Sequence, residues 1–376
     1  MELKEYRFDE VTINFDKKRV PLSGAQREKR QGIYRYYGAQ GVIDHIDDFI
    51  FDGTYLLIAE DGENLKSKKQ NIAQVVEGKF WVNNHAHIVQ GNELCDTRYL
   101  CYLLNSMDLS GYVTGSAQPK LSQANLNAVT LFLPPIFIQK KIVGCVYMFD
   151  KKIAVNQQIN DNLYAQAKAI FADRFINIDA IPDGWRKGSL LDIANYLNGL
   201  AMQKFRPQED EVGLPVLKIR ELRQGSCDVS SELCSPSIKP DYIIRDGDVI
   251  FSWSGSLLVD IWCGGTCGLN QHLFKVTSEV YDKWFYYLWT AHHLDRFIAI
   301  AADKATTMGH IKREELAKAE VLIPSEADYQ EISSIIKPIF ELVISNRIEA
   351  RKLAALRDEL LPKLMSGEID VTEVSI

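Results

Sequence analysis

The feature that most constrains the fold of this chain is an internal repeat. The stretch GSAQPKLSQANLNAVTLFLPP, residues 115–135, returns as the similar stretch ATTMGHIKREELAKAEVLIPS, residues 305–325. A shift of 190 positions aligns the two stretches and places Leu121 opposite Ile311. Because the same apolar positions recur, the two segments are expected to form the same local structure.

Two further repeats keep the same order along the chain. DGTYLLIAEDG, residues 52–62, is similar to DGDVIFSWSG, residues 246–255. VNNHAHIV, residues 82–89, is similar to LNQHLFKV, residues 269–276. Chance could supply one such match, but an ordered set indicates a duplication, in which each half has a larger unit followed by a tail.

Each larger unit contains short runs typical of strands, including TYLLIA, KFWVNN, DVIFSW and HLFKV. Gly, Asn and Asp turns separate these runs. The apolar runs TRYLCYLLNSM and KWFYYLWTAHHL predict a helix in each half. A final strand then runs into proline, in AVTLFLPP and KAEVLIPS, where proline stops the strand. The predicted fold class is therefore α+β.

The tails show a heptad pattern, with apolar residues at alternating steps of four and three. The first seam comprises Ile142, Val146, Phe149, Ile153, Asn156, Asn160, Leu163, Ala167 and Ile170. The second comprises Ile332, Ile336, Ile339, Val343, Asn346, Ala350, Leu353, Arg357 and Leu360. Each helix could pack on its own domain, but two matched seams favour a mutual coiled coil.

An asparagine lies near the middle of each predicted helix. In an antiparallel pair the midpoints meet, so Asn156 and Asn346 should face each other or lie within one turn of doing so. A buried Asn pair fixes helix register at some cost in stability. Two similar domains would then lie at opposite ends of a long antiparallel two-helix coiled coil, related by an approximate two-fold axis. The predicted boundaries are 1–134 and 179–324 for the two domains, with 135–178 and 325–376 for the helices and C-terminal tail.

Composition restricts the function classes. The net charge of -7 and the pI of about 5.6 argue against a basic protein that simply coats nucleic acid. Seven cysteines without a disulfide framework indicate reduced thiols and a cytoplasmic location. The first residues do not resemble a signal peptide, and no apolar stretch approaches the length of a membrane span.

No motif for catalysis is found. The sequence contains no GxxxxGK[ST] phosphate loop, dinucleotide fingerprint or GxSxG elbow, which predicts a non-catalytic chain. His85 and His87 would share one strand face, but a third metal ligand is not evident. Four cysteines of the second half lack standard zinc spacing, namely Cys227, Cys234, Cys263 and Cys267.

Polar and aromatic residues around glycines suggest contacts to DNA. The stretch IYRYYGAQGVI contains Tyr34, Tyr36 and Tyr37, and VLKIRELRQGS contains Lys218 and Arg220. Such side chains contact phosphates or base edges. The alternative is that they are solvated turn residues.

The stretch GSAQPKLSQANLNAVTLFLPPIFIQKKIV resembles the junction between a target recognition domain and a conserved helix in type I restriction–modification specificity subunits. EARKLAALRDELLPKLMSGEID resembles the end of the second helix in that family, and YYGAQGVI and DGTYLLIAEDG are also similar to it. The resemblance covers almost the whole chain. The first junction departs from it, since Phe137-Ile138 stand where the family often has an acidic residue before Gln.

The resemblance implies that each recognition domain reads one half of a bipartite, asymmetric double-stranded DNA site. The helices would set the gap between the halves and dock two methyltransferase subunits, and restriction subunits could then join. S-adenosylmethionine, ATP and magnesium would be used on those partner chains, with no cofactor on this one. Alternatives are a recognition subunit of another restriction or phage-defence assembly, a coiled-coil adaptor that binds only protein, and an enzyme with an unfamiliar active site.

The same resemblance implies that the loop before each closing strand faces DNA. Lys120 and Lys312 would hold phosphates, and Gln118 would reach a base edge. The full set of loop residues comprises Ser116, Gln118, Lys120, Thr306, Thr307, His310 and Lys312. A helix of about 36 residues rises about 54 Å, which is about 16 base pairs of duplex.

Overall fold

The computed structural model describes residues 2–67, 70–115, 118–303 and 311–371. The chain divides into two compact units. Unit 1 comprises Met1–Asp150 with Ala355–Ile376, and unit 2 comprises Lys151–Ala354. Each unit therefore includes part of both long helices.

Unit 1 is built on an antiparallel-rich sheet with short helices. Its strands are β1 (Lys4–Arg7), β2 (Thr12–Asn14), β3 (Gln31–Gly38), β4 (Gly41–Ile46), β5 (Phe51–Ala59), β6 (Ala73–Val82), β7 (Ala86–Gly91) and β8 (Thr130–Leu133). Its short helices are α1 (Gly24–Glu28), α2 (Asn64–Ser67), α3 (Thr97–Ser106) and α4 (Gln123–Asn127). Short 3₁₀ turns occur at Phe8–Glu10, Asp16–Lys18 and Ser110–Tyr112.

The main sheet of unit 1 has the strand order β2-β7-β5-β6-β3-β4, and β1 pairs separately with β8. Leu56, Leu57 and Ile58 of the central strand β5 are almost fully buried. Both sheet faces are therefore covered at this point, which explains the continuous apolar run in the sequence. Helix α3 packs against one face, and its N-cap residue Asp96 accepts hydrogen bonds from the backbone N–H groups of Arg98 and Tyr99.

Unit 2 contains the strands and short helices of the second half. Its strands are β9 (Arg186–Ser189), β10 (Asn195–Asn198), β11 (Leu214–Leu217), β12 (Leu233–Cys234), β13 (Ile243–Ile244), β14 (Val249–Ser252), β15 (Leu258–Ile261), β16 (Cys267–Leu269), β17 (Leu273–Thr277) and β18 (Glu320–Ile323). Its short helices are α6 (Leu190–Ile193), α7 (Ile219–Gln224), α8 (Lys283–His292), α9 (Leu294–Asp303) and α10 (Arg313–Ala317). Short 3₁₀ turns occur at Met202–Lys204 and Pro240–Tyr242.

Two four-stranded sheets form the body of unit 2, in the orders β10-β17-β14-β15 and β12-β11-β16-β13, and β18 pairs with β9. Helix α8 is buried along most of its length, including Trp284, Phe285 and Trp289. These rings pack with Phe171 and Phe175, so an aromatic cluster joins α8 to the end of the first long helix. This explains why the sequence of α8 lacks a polar face.

The repeat seen in the sequence is present in the strand register. In unit 1, β5 pairs with β7 so that Ala59 lies opposite Ala86. In unit 2, β14 pairs with β17 so that Ser252 lies opposite Leu273, which are the aligned positions of the repeat. The closing strands agree as well. β1 pairs with β8 over Lys4–Arg7 and Thr130–Leu133, and β9 pairs with β18 over Arg186–Ser189 and Glu320–Ile323.

The predicted helical tails form two long helices. Helix α5 (Ile136–Phe171) has 36 residues and continues into a π-helical turn at Ala172–Ile176. Helix α11 (Glu326–Ser366) has 41 residues. The predicted α+β class, with two similar units and two long helices, is confirmed.

The two long helices run antiparallel within unit 2, because later residues of α5 contact earlier residues of α11. Asn156 Nδ2 donates to the backbone oxygen of Asn346 over 3.4 Å, and Asn160 Nδ2 donates to that of Val343 over 3.3 Å. Many seam positions are buried as predicted, including Ile142, Val146, Asn156, Asn160, Ala167, Ile332, Ile336 and Val343.

Within unit 2, two arginines attach α11 to the sheet region. Arg347 forms a two-pronged ion pair with Asp260, with both N–O distances at 2.8 Å. Arg351 does the same with Asp246, again at 2.8 Å, and also donates to the backbone oxygen of Cys263. Gly265 approaches Arg351 closely and has a φ of +93°, a conformation that favours glycine.

Candidate nucleic-acid interface

In unit 1, the loop expected to face DNA is held against the end of β5. The N–H of Leu121 donates to the backbone oxygen of Glu60 over 2.8 Å, and the N–H of Gly62 donates to that of Pro119 over 3.2 Å. Lys120 also forms isolated β-bridges with Asp61 and with Thr114. The loop is therefore fixed by the backbone on both sides of Lys120.

A buried polar network lies beneath this loop. His87 is 1% exposed, and its Nε2 lies 2.8 Å from the backbone oxygen of Leu121. Its Nδ1 lies 2.6 Å from Asp16 Oδ2, and Asp16 Oδ1 accepts a hydrogen bond from the N–H of Ile88. Burial alone would raise the pKa of Asp16, but hydrogen bonds from His87 and Ile88 together with the charge of Arg19 hold it below its usual value.

Lys120 is exposed over about half of its side chain, and its Nζ lies 3.2 Å from Glu60 Oε1. Glu60 also pairs with Arg19 at 2.9 Å. Burial opposes ionisation of Glu60, but the hydrogen bonds from Arg19 and Lys120 and the nearby His87 keep its pKa below the usual value. The side chain of Lys120 is therefore partly exposed to solvent, while the charge of its ammonium group is partly neutralised by Glu60.

Unit 2 repeats this arrangement with different side chains. The N–H of Ile311 donates to the backbone oxygen of Trp253 over 3.0 Å, as Leu121 donates to Glu60 in unit 1. Trp253 Nε1 donates to Asn198 Oδ1 over 2.9 Å, and its ring centroid lies 6.2 Å from that of His272. The same loop attachment is thus built twice, at aligned positions of the repeat.

The turn at Asn83–His85 in unit 1 and the turn at Asn270–His272 in unit 2 share one geometry. In unit 1 the N–H of His85 donates to Asn83 Oδ1 over 2.8 Å, and His85 Nδ1 lies 2.6 Å from Asp61 Oδ2. In unit 2 the N–H of His272 donates to Asn270 Oδ1 over 3.2 Å, and the hydroxyl of Ser254 lies 3.0 Å from His272 Nδ1. The sequence suggested His85 only as a possible metal ligand, and its pattern did not indicate this turn.

The structure contradicts direct DNA contact by two of the predicted tyrosines. Tyr36 is 0% exposed, and its hydroxyl oxygen accepts a hydrogen bond from the N–H of Leu22 over 2.8 Å. Tyr37 is 4% exposed, with its ring against Phe80. Both residues lie in the core because β3 is paired on both sides and covered at this point. Tyr34 is half-buried beside Phe49, and its contact with DNA stays a prediction.

The other predicted contacts are only partly within the described residues. Gln118 and Lys312 are exposed, and Lys312 occupies the N-cap position of α10. Four predicted contacts lie outside the described residues, namely Ser116, Thr306, Thr307 and His310. The roles of all of these loop residues stay predictions.

Lys218 and Arg220 lie at the start of α7 and are occupied by acidic partners. Lys218 Nζ lies 2.7 Å from Glu232, and Arg220 pairs with buried Glu221 at 2.6 Å and with Asp228 at 3.3 Å. Arg220 keeps about half of its side chain exposed. Phosphate binding here would compete with these carboxylates, so any contact needs a change of partner.

Asn156 and Asn346, predicted to meet, are in contact within unit 2. The side chains are not paired with each other, since Asn346 Nδ2 donates to Asn160 Oδ1 over 3.0 Å and Asn156 Nδ2 also donates to Glu349 over 2.7 Å. Asn160 was identified as a seam position but not as the polar partner. The role of Asn156 and Asn346 in fixing register stays a prediction.

The described residues meet neither the requirements of a metal site nor those of a membrane-spanning helix. No group of three His, Cys, Asp or Glu side chains there is arranged to hold a metal ion. All seven cysteines are free thiols. Among the described helices, none has the length and apolar character needed to cross a bilayer.

A sequence model of the type I restriction modification DNA specificity domain matches residues 2–165 and again residues 182–356. The two matches together cover most of the chain. The chain belongs to this family.

Similar proteins agree with the assignment. The type I restriction enzyme MjaIX specificity subunit of Methanocaldococcus jannaschii is 26% identical over 307 residues, covering 74% of this chain and 70% of the relative. The putative specificity subunit S.HindORF215P of Haemophilus influenzae is 25% identical over 362 residues, covering 92% and 89%. The duplicated specificity domain therefore agrees with the internal repeat.

A solved structure shows the same fold. The type I restriction–modification S subunit from M. genitalium matches with a TM-score of 0.60 at 12% identity, covering 97% of this chain and 96% of that chain. At this low identity the match carries the fold alone. The two specificity domains of this family therefore correspond to the two repeated sets of strands.

Proposed function

We propose that this chain is the DNA sequence-recognition subunit of a type I restriction–modification complex, and that each unit reads one half of a bipartite, asymmetric site. The observation that carries this proposal is the repeated loop attachment. Leu121 bonds to Glu60 in unit 1 as Ile311 bonds to Trp253 in unit 2. A protein with two copies of one exposed loop arrangement is suited to two half-sites, whereas different side chains on each copy suit different sequences.

We propose that the long helices set the distance between the half-sites. Helix α5 has 36 residues, which corresponds to a rise of about 54 Å or about 16 base pairs. Antiparallel contacts at Asn156 and Asn160 support a defined register in unit 2. The ion pairs of Arg347 and Arg351 support a fixed connection between α11 and the sheet region of unit 2.

The proposed partners are double-stranded DNA, two methyltransferase subunits and, in the full complex, restriction subunits. The chain would be non-catalytic, with S-adenosylmethionine, ATP and magnesium used on the partner chains. The net charge of -7 supports shared binding, because phosphate contacts require basic surface that partners can supply. Free thiols agree with a cytoplasmic location.

Methylation sequencing tests the proposal. DNA from cells that carry the partner methyltransferase should show a methylated bipartite motif only when this chain is present. Co-purification of the chain with the methyltransferase is the control for assembly. An unchanged set of methylated sites after removal of the chain, with the partner intact, would contradict the proposal.

A further inference from the structure

The repeated turns at Asn83–His85 and Asn270–His272 have a common construction. Asn83 is 7% exposed and Asn270 is 3% exposed, so the first side chain of each turn is used internally. Each accepts a hydrogen bond from the N–H of the histidine two residues later. The middle residue is Asn84 in unit 1, which is exposed, and Gln271 in unit 2, which is half-buried.

The histidine of each turn is fixed by a residue at the end of the neighbouring strand pair. His85 is held by Asp61 at 2.6 Å, and His272 by Ser254 at 3.0 Å. Asp61 and Ser254 occupy the same position of the repeat, one residue after Glu60 and Trp253 respectively. The substitution of a hydroxyl for a carboxylate keeps the contact while changing its charge.

The turns also lie beside the loops proposed to face DNA. Glu60 accepts from Leu121 through its backbone oxygen and donates its own N–H to the backbone oxygen of His85 over 2.9 Å. In unit 2, Trp253 accepts from Ile311 and its ring lies next to His272. One strand end therefore connects the loop and the turn in each unit.

The middle residues of the two turns share one chemistry. The Nε2 of Gln271 lies 3.4 Å from the Nε2 of His272. A carboxamide carries a donor and an acceptor side by side, which matches the N6 and N7 edge of adenine in the major groove. Mounting it on a turn fixed by two hydrogen bonds limits the loss of backbone freedom on binding.

We propose that the two turns are base-reading elements, and that Asn84 and Gln271 each pair with an adenine edge in their own half-site. His85 and His272 act as positioning residues that hold the turns in place. This inference rests on the proposed function, since it requires that each unit reads a half-site.

The test uses the full chain in complex with its methyltransferase subunits. Methylation is measured on a library of bipartite DNA sites in which each position of both halves is varied in turn. Asn84→Ala should reduce the preference for adenine at one position of one half-site on the order of tenfold. Gln271→Ala should do the same in the other half-site only.

Exposed residues elsewhere in each unit provide matched controls. His45→Ala on β4 and Glu279→Ala after β17 should leave the preferences at all positions unchanged. Melting curves of these four variants and of the two His85 variants below establish that each is folded. His85→Ala should weaken the same position as Asn84→Ala, and His85→Gln should restore part of the preference by keeping a hydrogen-bonding group near Asp61.

Three outcomes separate the claims. Position-specific loss in one half per variant supports the inference. An equal loss of methylation on every sequence overturns the inference, because the turns would then contact only the DNA backbone. No loss at all also overturns it, because the turns would then not contact DNA. If the unaltered complex methylates no bipartite site, the proposed function itself fails.

Discussion

At the scale of single residues, burial separates the tyrosines of β3 by role. Tyr36 has no exposed surface and serves as an acceptor for the N–H of Leu22. Its ring also lies 5.2 Å from the guanidinium of Arg27. These contacts make Tyr36 part of the support for the N-terminal segment of unit 1 rather than a contact to DNA.

Tyr36→Phe is therefore expected to lower stability and to leave DNA preference unchanged. Loss of the hydroxyl leaves the N–H of Leu22 without that acceptor, which costs about 1 to 3 kcal/mol. Thermal unfolding of the variant and of Tyr34→Phe measures the difference. A selective loss of DNA affinity in Tyr36→Phe at unchanged melting temperature would contradict the burial argument.

Asp16 gives an acid dependence to unit 1. Its folded-state pKa is lowered from the usual value of 3.8, so the ionised form adds stability above that value. This contribution is lost as the pH falls through the folded-state pKa, because protons then bind to the carboxylate. Asp16→Asn should consequently flatten the fall in melting temperature below about pH 4.

The melting temperature of the unaltered chain, measured across the same pH series, is the reference for Asp16→Asn. Glu60 also has a lowered pKa and remains in both proteins, so the slope should decrease without vanishing. Parallel pH curves for the two proteins would show that Asp16 does not contribute in this way.

Single residues could be predicted from the sequence where a regular heptad period indicated their positions. They could not be predicted where burial depends on segments that are distant in the sequence. The heptad spacing predicted that Asn156 and Asn346 lie close together. It could not show that the amide of Asn346 pairs with Asn160 instead, since that depends on rotamers. The run around Tyr36 has no simple alternation, so its burial by neighbouring strands and by the segment before α1 was not visible in the sequence.

At the scale of elements, two ion pairs with parallel geometry connect α11 to the sheet region of unit 2. Arg347 is about one-quarter exposed, as is its partner Asp260. Burial alone would lower the pKa of Arg347, but the Asp260 carboxylate raises it above the usual value. The hydrogen bonds are charge-assisted and two-pronged, which fixes direction as well as distance.

A double-mutant cycle of Arg347→Ala and Asp260→Ala should give a coupling of about 1 to 3 kcal/mol in unfolding free energy. Lys352→Ala is the matched control, because Lys352 is an exposed basic residue on the same helix. Its effect should be small. A coupling near zero would mean that packing alone attaches α11 to the sheet region.

Much of the element order was predictable, because strands, closing prolines and helices recur in the same sequence order. Helices α3 and α8 coincide with the two aromatic-rich runs. The long helices begin at Ile136 and Glu326, shortly after the closing strands. The arginine attachments were not predictable, because Asp246 and Asp260 lie far from Arg351 and Arg347 in the sequence. No period within the helix distinguishes them from solvated charges.

At the scale of the whole molecule, the proposed function makes the helices a spacer. Inserting seven matched residues into α5 and α11 adds two turns, or about 10 Å, which is about three base pairs. The preferred gap in the methylated motif should lengthen by about this amount while both half-site sequences stay the same. Methylation sequencing of the insertion variant checks this, and an unchanged gap would exclude a ruler role for the helices.

Replacement of one recognition segment tests whether each unit reads one half-site. Residues 179–324 are exchanged for the corresponding segment of a family member with a known and different motif, and the methylated sites of the resulting complex are sequenced. If each unit reads one half-site, one half of the bipartite motif changes to that of the donor while the other half is kept. A motif that changes in both halves, or in neither half in an active complex, would contradict the assignment of one half-site to each unit.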